Sequence, residues 1–215
     1  NAEGGLTTAG YVVCAIAGIA LFVLAILFAG RNSEKKKMGT RQLVFCAMAI
    51  ALAYVTSYLK LFSLPWGSSV TLCSMLFIVL IGNWYGVQTG IVAGLAYGIM
   101  QFLQESYVLS FFQVCCDYIL AFAALGVAGF FAKSSHGLLK GYTDAVIARG
   151  AFHALGGYLY WMDYLPENFP QSLKAVYPIV YNYSFLLAEA VITVIIISIP
   201  AVVKGLGQVK KSALA

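Results

Sequence analysis

Long apolar segments dominate the sequence and restrict what the chain can fold into. Seven of them follow one another, separated by short polar stretches: roughly residues 10–30, 42–59, 69–82, 85–104, 110–132, 142–162 and 178–203. A helix of about 20 apolar residues crosses the hydrocarbon core of a bilayer. Apolar residues make up 61% of the 215 positions and charged residues only 10%, too few to cover a water-facing surface. The sequence therefore predicts an all-α, polytopic membrane protein.

Two of the apolar segments could be mistaken for something other than a full transmembrane helix, one because of its position and one because of its length. The first, 10–30, is followed by the basic run 31–37, whereas a secretory signal has its positive charges before the apolar stretch. We therefore expect a true transmembrane helix. Segment 69–82 is short, and we expect it to form a tight helical hairpin with 85–104 around the stretch from Gly82 to Gly86.

Basic residues are distributed unevenly between the two sides that seven spans create. One side holds ten of the thirteen: Arg31, Lys35, Lys36, Lys37, Arg41, Lys133, Lys140, Lys204, Lys210 and Lys211. The other side has Lys60 and Lys174, together with the acidic Glu3, Glu105, Asp163 and Glu167. Basic loops stay in the cytoplasm. We expect a multi-pass protein of the cell membrane, with its N-terminus outside and its C-terminus in the cytoplasm.

Motifs of the common enzyme classes do not occur in the sequence. It has no P-loop, no GxSxG and no HExxH, and no internal repeat is clear. Its five cysteines form no CxxC pair, and we expect them to be small buried apolar residues. We predict no enzymatic activity, no cofactor and no metal site. Energy for transport would have to come from a partner or a gradient.

A few ionisable residues fall inside the predicted spans, where they are costly and usually face a cavity or a partner. We expect Asp144 and Arg149 to form a pair near the inner lipid headgroups. Glu189 fits a bond to a neighbouring helix, with a pocket as the alternative. Asp117 and His153 lie towards the outer half of their spans and are the strongest candidates for a binding site.

Aromatic and polar residues accompany these two. His153, Gly157 and Trp161 follow one another at intervals of four, which places them on one helix face, and the glycine would leave a gap for a planar ring. The predicted cluster on the outer helix ends comprises Tyr107, Asp117, Tyr118, His153, Trp161, Tyr177 and Asn182. One carboxylate among aromatic rings suits a small cationic aromatic solute.

These residues resemble a known family, the thiamine-specific substrate-binding (S) components of energy-coupling factor (ECF) transporters. The resemblance covers about residues 41–211. It is carried by the stretch from Gly90 to Gly98, Tyr107-Val108-Leu109-Ser110, Gln113, Asp117-Tyr118 and the stretch from Leu125 to Gly129, with the spacings His153–Gly157–Trp161 and Tyr177–Asn182. It implies a six-helix core over 41–215, with 1–40 as an extra transmembrane helix and basic linker.

The resemblance also implies roles for individual residues. Asp117 would balance the charge of thiamine, His153 and Trp161 would stack on its thiazolium ring, and Tyr177 and Asn182 would hold its aminopyrimidine. Tyr107 and Tyr118 would complete the wall. Trp66 resembles a lid tryptophan, although an interface anchor is an equal alternative. The family has a glutamate where this chain has Asp117, so a tighter pocket or a relative of thiamine is also open.

Partners are implied in the same way. Ala47, Ala49, Ala51 and Ala53 give small-xxx-small spacings that allow close helix approach in lipid. In the family such a stripe docks on a transmembrane coupling subunit that connects to two ATPases; ordinary packing within the chain is the alternative. A stand-alone proton-coupled carrier using Asp117, His153 or Glu189 is the second functional hypothesis, and a membrane enzyme is a remote third.

Overall fold

The computed structural model describes residues 38–64, 69–105, 108–167 and 169–215. Helices make up most of it. They are α1 (Thr40–Ser57), α2 (Ser74–Tyr85), α3 (Val87–Gln104), α4 (Phe111–Phe131), α5 (Gly137–Gly156), α6 (Tyr177–Ser198) and α7 (Pro200–Leu214). Three helical stretches in this part of the chain are long and apolar enough to cross a membrane: Thr40–Ser57, Phe111–Phe131 and Gln171–Ser198. The predicted first span, 10–30, lies outside the described residues.

A small β-hairpin departs from the all-α prediction. Strands β1 (Lys60–Ser63) and β2 (Ser69–Thr71) pair antiparallel between α1 and α2. The predicted span 69–82 therefore begins as a strand, and its helix starts only at Ser74. Helix α2 has 12 residues, about 18 Å at the rise of an α-helix, so it crosses only part of a bilayer. Most of its residues are buried between its neighbours.

The predicted hairpin between the second and third helices is confirmed. Helix α2 ends at Tyr85 and α3 begins at Val87, with Gly86 between them at φ 93°. This left-handed conformation is open to glycine at little cost. The turn reverses the chain within one residue and leaves the two helices side by side.

Glycines at intervals of four bring α3 against α4. A Cβ added at Gly90 would lie 2.8 Å from Gly126 Cα, one at Gly94 would collide with the Phe122 carbonyl, and one at Gly98 with the Tyr118 carbonyl. Close approach of backbones is what small residues provide between helices in lipid. We call the α3–α4 contact at Gly90, Gly94 and Gly98 the glycine seam. It places Tyr118 and Phe122 of α4 at a fixed distance from α3.

The last predicted span is broken by a proline. Residues 178–203 were expected to form one helix, but α6 ends at Ser198 and Ile199 is extended at ψ 125°. The residue before a proline avoids the α region, so Pro200 begins a separate helix. Helix α7 then covers Pro200–Leu214, so most of the polar cytoplasmic segment predicted from residue 204 onward is helical. Tyr85 donates a hydrogen bond from its hydroxyl to the Ala213 carbonyl at 2.9 Å and ties α7 to α2.

The alanines of α1 divide between two faces. Ala49 and Ala53 are buried against the rest of the chain, and the Ala53 carbonyl accepts a bond from the Tyr97 hydroxyl at 3.2 Å. Ala47 and Ala51 are exposed. Ala49 and Ala53 therefore follow the predicted alternative of packing within the chain, and Ala47 and Ala51 remain on the outer surface.

Candidate binding site

A cavity of about 440 Å³ lies between α4, the C-terminal part of α5 and the N-terminal half of α6, closed on one side by the end of α3. Seven of the predicted site residues line it: Asp117, Tyr118, His153, Gly157, Trp161, Tyr177 and Asn182. The other two, Trp66 and Tyr107, lie outside the described residues. Residues chosen from three separate segments of the sequence therefore meet at one hollow.

Asp117 is held by two protein donors. Gln113 Nε2 donates to Asp117 Oδ2 at 2.8 Å, and His153 Nδ1 lies 3.1 Å from Asp117 Oδ1. Gln113 is itself buried and fixed, because its Oε1 accepts the Leu109 N–H at 3.1 Å. The side chain of Asp117 is 16% exposed. The carboxylate is thus oriented before any ligand arrives.

Arg149 is the main addition to the predicted site, and its expected pairing with Asp144 at the inner headgroups is wrong. It lines the cavity, where its Nε donates to His153 Nε2 at 3.3 Å and its Cζ lies 4.2 Å from the centre of the Phe122 ring. The reason is the start of α5 at Gly137 and not near 142. Arg149 therefore stands about 18 Å along the helix, level with the cavity.

The contact with Arg149 determines the form of His153. A guanidinium can only donate hydrogen bonds, so His153 Nε2 is the acceptor and its Nδ1 carries the proton that is donated to Asp117. The result is a chain of three side chains with a cation at one end, a neutral imidazole in the middle and an anion at the other. Asp117 is therefore not the lone charge that the sequence suggested.

Gly157 lines the cavity and also allows two helices to pack closely. A Cβ at this position would lie 2.6 Å from Pro178 Cβ and 3.4 Å from Asn182 Nδ2, so the glycine lets α6 approach α5. The helix also changes to π winding over Gly157–Trp161. The four-residue spacing of an α-helix therefore does not continue to Trp161, which reaches the cavity through a wider turn.

Helix α6 contributes an amide and a group of aromatic rings. Asn182 Nδ2 donates to the Pro178 carbonyl at 2.7 Å and to the His153 carbonyl at 3.3 Å. Within the described part of the chain its Oδ1 accepts no hydrogen bond. The Tyr177 ring is buried against Phe169 and Tyr181, with ring centres 4.8 and 5.5 Å away. This wall offers one free acceptor beside aromatic faces.

Tyr118 lies at the mouth of the cavity. Its hydroxyl donates to the Glu105 carbonyl at 2.7 Å and its ring meets Phe102 edge to face. An ion pair at 2.9 Å between Lys60 Nζ and Glu105 Oε1 joins β1 to the end of α3 beside it. Both partners are largely exposed, so the pair adds little stability but connects the hairpin to the rim.

Sequence reasoning missed several residues of the cavity, although a signal for two was present. Gln113 precedes Asp117 by four positions and Arg149 precedes His153 by four, which places each pair on one helix face. The residues that were not named as site residues are Gln101, Glu105, Gln113, Phe122, Arg149, Pro166, Pro178, Tyr181 and Phe185. The aromatic ones were indistinguishable from ordinary core residues.

Glu189 is not part of this cavity. Its carboxylate accepts from Thr71 Oγ1 at 2.6 Å, from Ser74 Oγ at 3.1 Å and from the Met75 N–H at 3.2 Å. The prediction that it bonds a neighbouring helix is confirmed by its contacts with Ser74 and Met75 of α2. It lines a neighbouring polar cavity of about 240 Å³, which shares four lining residues with the larger one: Gln101, Glu105, Arg149 and Phe185.

Comparison with known proteins identifies related chains. The family model of the thiamine transporter protein (Thia_YuaJ) matches residues 43–206. The thiamine transporter ThiT of Bacillus subtilis (strain 168) is 27% identical over 180 residues, which is 77% of this chain and 91% of that protein. The solved structure of ThiT from Listeria monocytogenes superposes with a TM-score of 0.66 at 26% identity, over 81% of this chain and 97% of that one.

The family match covers the described helices that form the cavity, and the family model and the Bacillus subtilis relative are named as thiamine transporters and not as enzymes. The mostly helical architecture with its apolar segments agrees with the membrane fold of ThiT. The chain belongs to the thiamine transporter protein family.

Proposed function

We propose that this chain is the high-affinity thiamine-binding S component of an ECF-type importer, and that it captures the vitamin in the 440 Å³ cavity. The single observation that carries the proposal is the meeting of seven predicted residues on that cavity. Its volume lies within the usual range of small-molecule sites. The chain would perform no chemistry on its ligand.

Each end of thiamine has a matching wall. The thiazolium is a flat cation, and Asp117 with the rings of His153 and Trp161 offers an opposite charge beside aromatic faces. The aminopyrimidine carries an amino group, which suits the free Oδ1 of Asn182 next to Tyr177. Arg149 keeps the His153 proton on the side of Asp117, so the ligand would meet an ordered carboxylate.

Titration calorimetry on the purified full chain tests the proposal directly. We expect saturable thiamine binding with a dissociation constant far below one micromolar, equivalent to more than about 8 kcal/mol of binding free energy. Quenching of tryptophan fluorescence provides a second measurement, since Trp161 lines the cavity. Binding no tighter than millimolar would contradict the assignment. The same titration with thiamine phosphate and with the free pyrimidine alcohol would define which relative fits best.

The distribution of charge supports an outward-facing cavity. Arg41, Lys133, Lys140 and the lysines of α7 lie at the end of the bundle opposite the cavity. By the positive-inside rule that end is cytoplasmic. A cysteine-accessibility assay on intact cells should label a cysteine introduced at Lys174 and not one introduced at Lys133.

Energy would come from a separate coupling subunit and two ATPases, docked on the exposed face of α1. Of the four alanines in the predicted stripe, Ala47 and Ala51 are the two exposed on this face. Replacing both with leucine should abolish ATP-dependent uptake in vesicles that contain the assembled importer, while thiamine binding is retained. Met48→Leu, at a neighbouring exposed position, is the matched control. Uptake by this chain alone, driven by a pH gradient, would favour the proton-coupled carrier instead.

A further inference from the structure

A second cavity, of about 470 Å³, lies at the opposite end of the bundle and is not explained by thiamine transport. It is enclosed by the end of α2, the start of α5, the end of α6 and helix α7. Its polar side includes Asn83, His136 and Lys210, and its apolar wall includes Leu80, Leu138, Ile197, Val203 and Leu206. We call it the basal cavity.

Asn83 presents an unused donor in this cavity. The residue is 4% exposed, and its Nδ2 has no hydrogen-bond partner in the part of the chain that the structure describes. A buried donor without an acceptor costs about 1–3 kcal/mol. A Cβ added at Gly137 would lie 3.6 Å from this nitrogen, so the amide stands beside the start of α5. Such a group indicates an acceptor that binds there.

The start of α5 adds further donors beside the amide. This helix has 20 residues, and the residue before it, His136, supplies no side-chain cap. The N–H groups of a first helical turn have no partner within the helix, and the helix dipole favours negative charge at this end. His136 and Lys210 also line the cavity, whereas none of the described lining residues is acidic. The polar side of the cavity is therefore built for an anion.

The remaining wall is apolar and reaches the outer surface of the bundle. Val203 is 54% exposed and Leu206 packs against the core. An anion that also requires apolar contact is an amphiphile, and a phosphodiester with acyl chains satisfies both walls. We propose that the basal cavity binds an anionic glycerophospholipid of the adjacent leaflet, with its phosphate at Asn83, Lys210 and the start of α5. Basic pockets between helices on the cytoplasmic side take such headgroups.

Fluorescence of Trp84, which lines the basal cavity, allows a direct test. The full chain in mild detergent is titrated with phosphatidylglycerol brominated in its acyl chains, and in parallel with brominated phosphatidylcholine. We expect saturable quenching by the anionic lipid, loss of that component in Trp84→Phe, and only background quenching by phosphatidylcholine. Equal quenching by the two lipids would overturn the proposal.

Matched variants distinguish specific binding of the lipid in the basal cavity from nonspecific attraction of anionic lipid to the basic surface of α7. Lys210→Gln and Asn83→Leu should each raise the half-saturating lipid fraction at least fivefold. Lys211→Gln, the next residue on the same helix and exposed, should change it less than twofold. If Lys211→Gln weakens binding as much as Lys210→Gln, the lipid is held only by surface charge. If Asn83→Leu does not fold, the lysine pair alone decides.

Further measurements distinguish a bound lipid from a free anion and from a protein partner. Millimolar inorganic phosphate should not displace the brominated lipid, and displacement would assign the cavity to a free anion. In the assembled importer the lipid should still quench Trp84; protection would show a protein interface instead. Asn83→Leu should melt at the same temperature as the wild type, or higher, without lipid, yet lose the lipid-induced increase. Thiamine affinity should be unchanged in every variant, so the outcome is independent of the proposed transport function.

Discussion

The two buried acids Glu189 and Asp117 differ in the groups that donate hydrogen bonds to them. Glu189 accepts three hydrogen bonds from two adjoining segments, β2 and the start of α2. Asp117 accepts two, from a glutamine and a histidine that both line the cavity as it does. One carboxylate joins elements of the fold, and the other is held in place by side chains that line the 440 Å³ cavity.

The comparison shows why depth in the membrane alone does not identify a functional acid. Both side chains are largely buried, and both cost free energy unless they have partners. What separates them is the identity of those partners. The backbone amide of Met75 makes Glu189 a cap for α2, whereas the partners of Asp117 are side chains connected to Arg149. Removing each acid should therefore affect different measurements.

The largest expected effect is loss of stability on removing Glu189. In Glu189→Ala the hydroxyls of Thr71 and Ser74 and the Met75 N–H lose their acceptor, so we expect the free energy of unfolding to fall by about 3 kcal/mol. Chemical unfolding in detergent measures it. Asp163→Ala, at an exposed acid, is the control. Thiamine affinity of the folded fraction should stay within twofold; a selective loss of affinity would place Glu189 in the binding site.

Removing the charge of Asp117 should give the reverse pattern. Asp117→Asn keeps the volume of the side chain but loses the anion, and we expect thiamine to bind about tenfold more weakly, or about 1.4 kcal/mol. Unfolding should change little. Asp117→Glu retains the charge and should recover most of the affinity. Calorimetry that finds Asp117→Asn unchanged would reject its role as counter-ion.

A smaller effect is expected at Arg149, which acts through His153. Arg149→Gln removes the donor to His153 Nε2, so the proton is no longer directed to Asp117, and we expect about a threefold loss of affinity, or about 0.7 kcal/mol. In the Asp117→Asn background the same substitution should cost less, because the two are coupled. Additive losses would show that Arg149 acts independently of Asp117.

The smallest effect should come from the hydroxyl of Tyr118. Its bond goes to the Glu105 carbonyl at the rim, and the ring contact with Phe102 survives in Tyr118→Phe. We expect thiamine affinity to fall by no more than about twofold, or about 0.4 kcal/mol. Tyr118→Ala, which also removes the ring, is the comparison. A tenfold loss in Tyr118→Phe would mean that the hydroxyl contacts the ligand itself.

The sequence predicted the parts of the fold that follow from apolar length and glycine. It located the reversal within the stretch from Gly82 to Gly86, and it selected Asp117, His153 and Asn182 because polar groups at membrane depth usually face a cavity or a partner. It did not predict the β-hairpin, since β1 and β2 are only four and three residues long and β2 lies inside an apolar run. The break at Pro200 was available from the Ile199-Pro200 step.

Arg149 shows why the rest of the site was missed. Its position relative to the membrane depends on where α5 starts, and an error of five residues moved it by about 7 Å along the axis. The π turns in α4 and directly after α5 could not be predicted either, because they have no clear residue signature. Tertiary contacts, such as that of Pro178 with Gly157, determine where they form.

The π turn of α4 makes the binding site sensitive to the number of residues in this helix. It covers Cys115–Leu120 and separates Gln113 from the seam residue Phe122. A π turn accommodates one residue more than an α turn, so it shifts the rotational phase of everything beyond it by about 100°. Deleting a single residue there would leave the seam contacts of Gly90 and Gly94 in place, disturb that of Gly98 with Tyr118, and rotate Gln113 away from His153. The extra residue of the π turn thus allows α4 to direct Gln113 towards the cavity while Phe122 stays in the glycine seam.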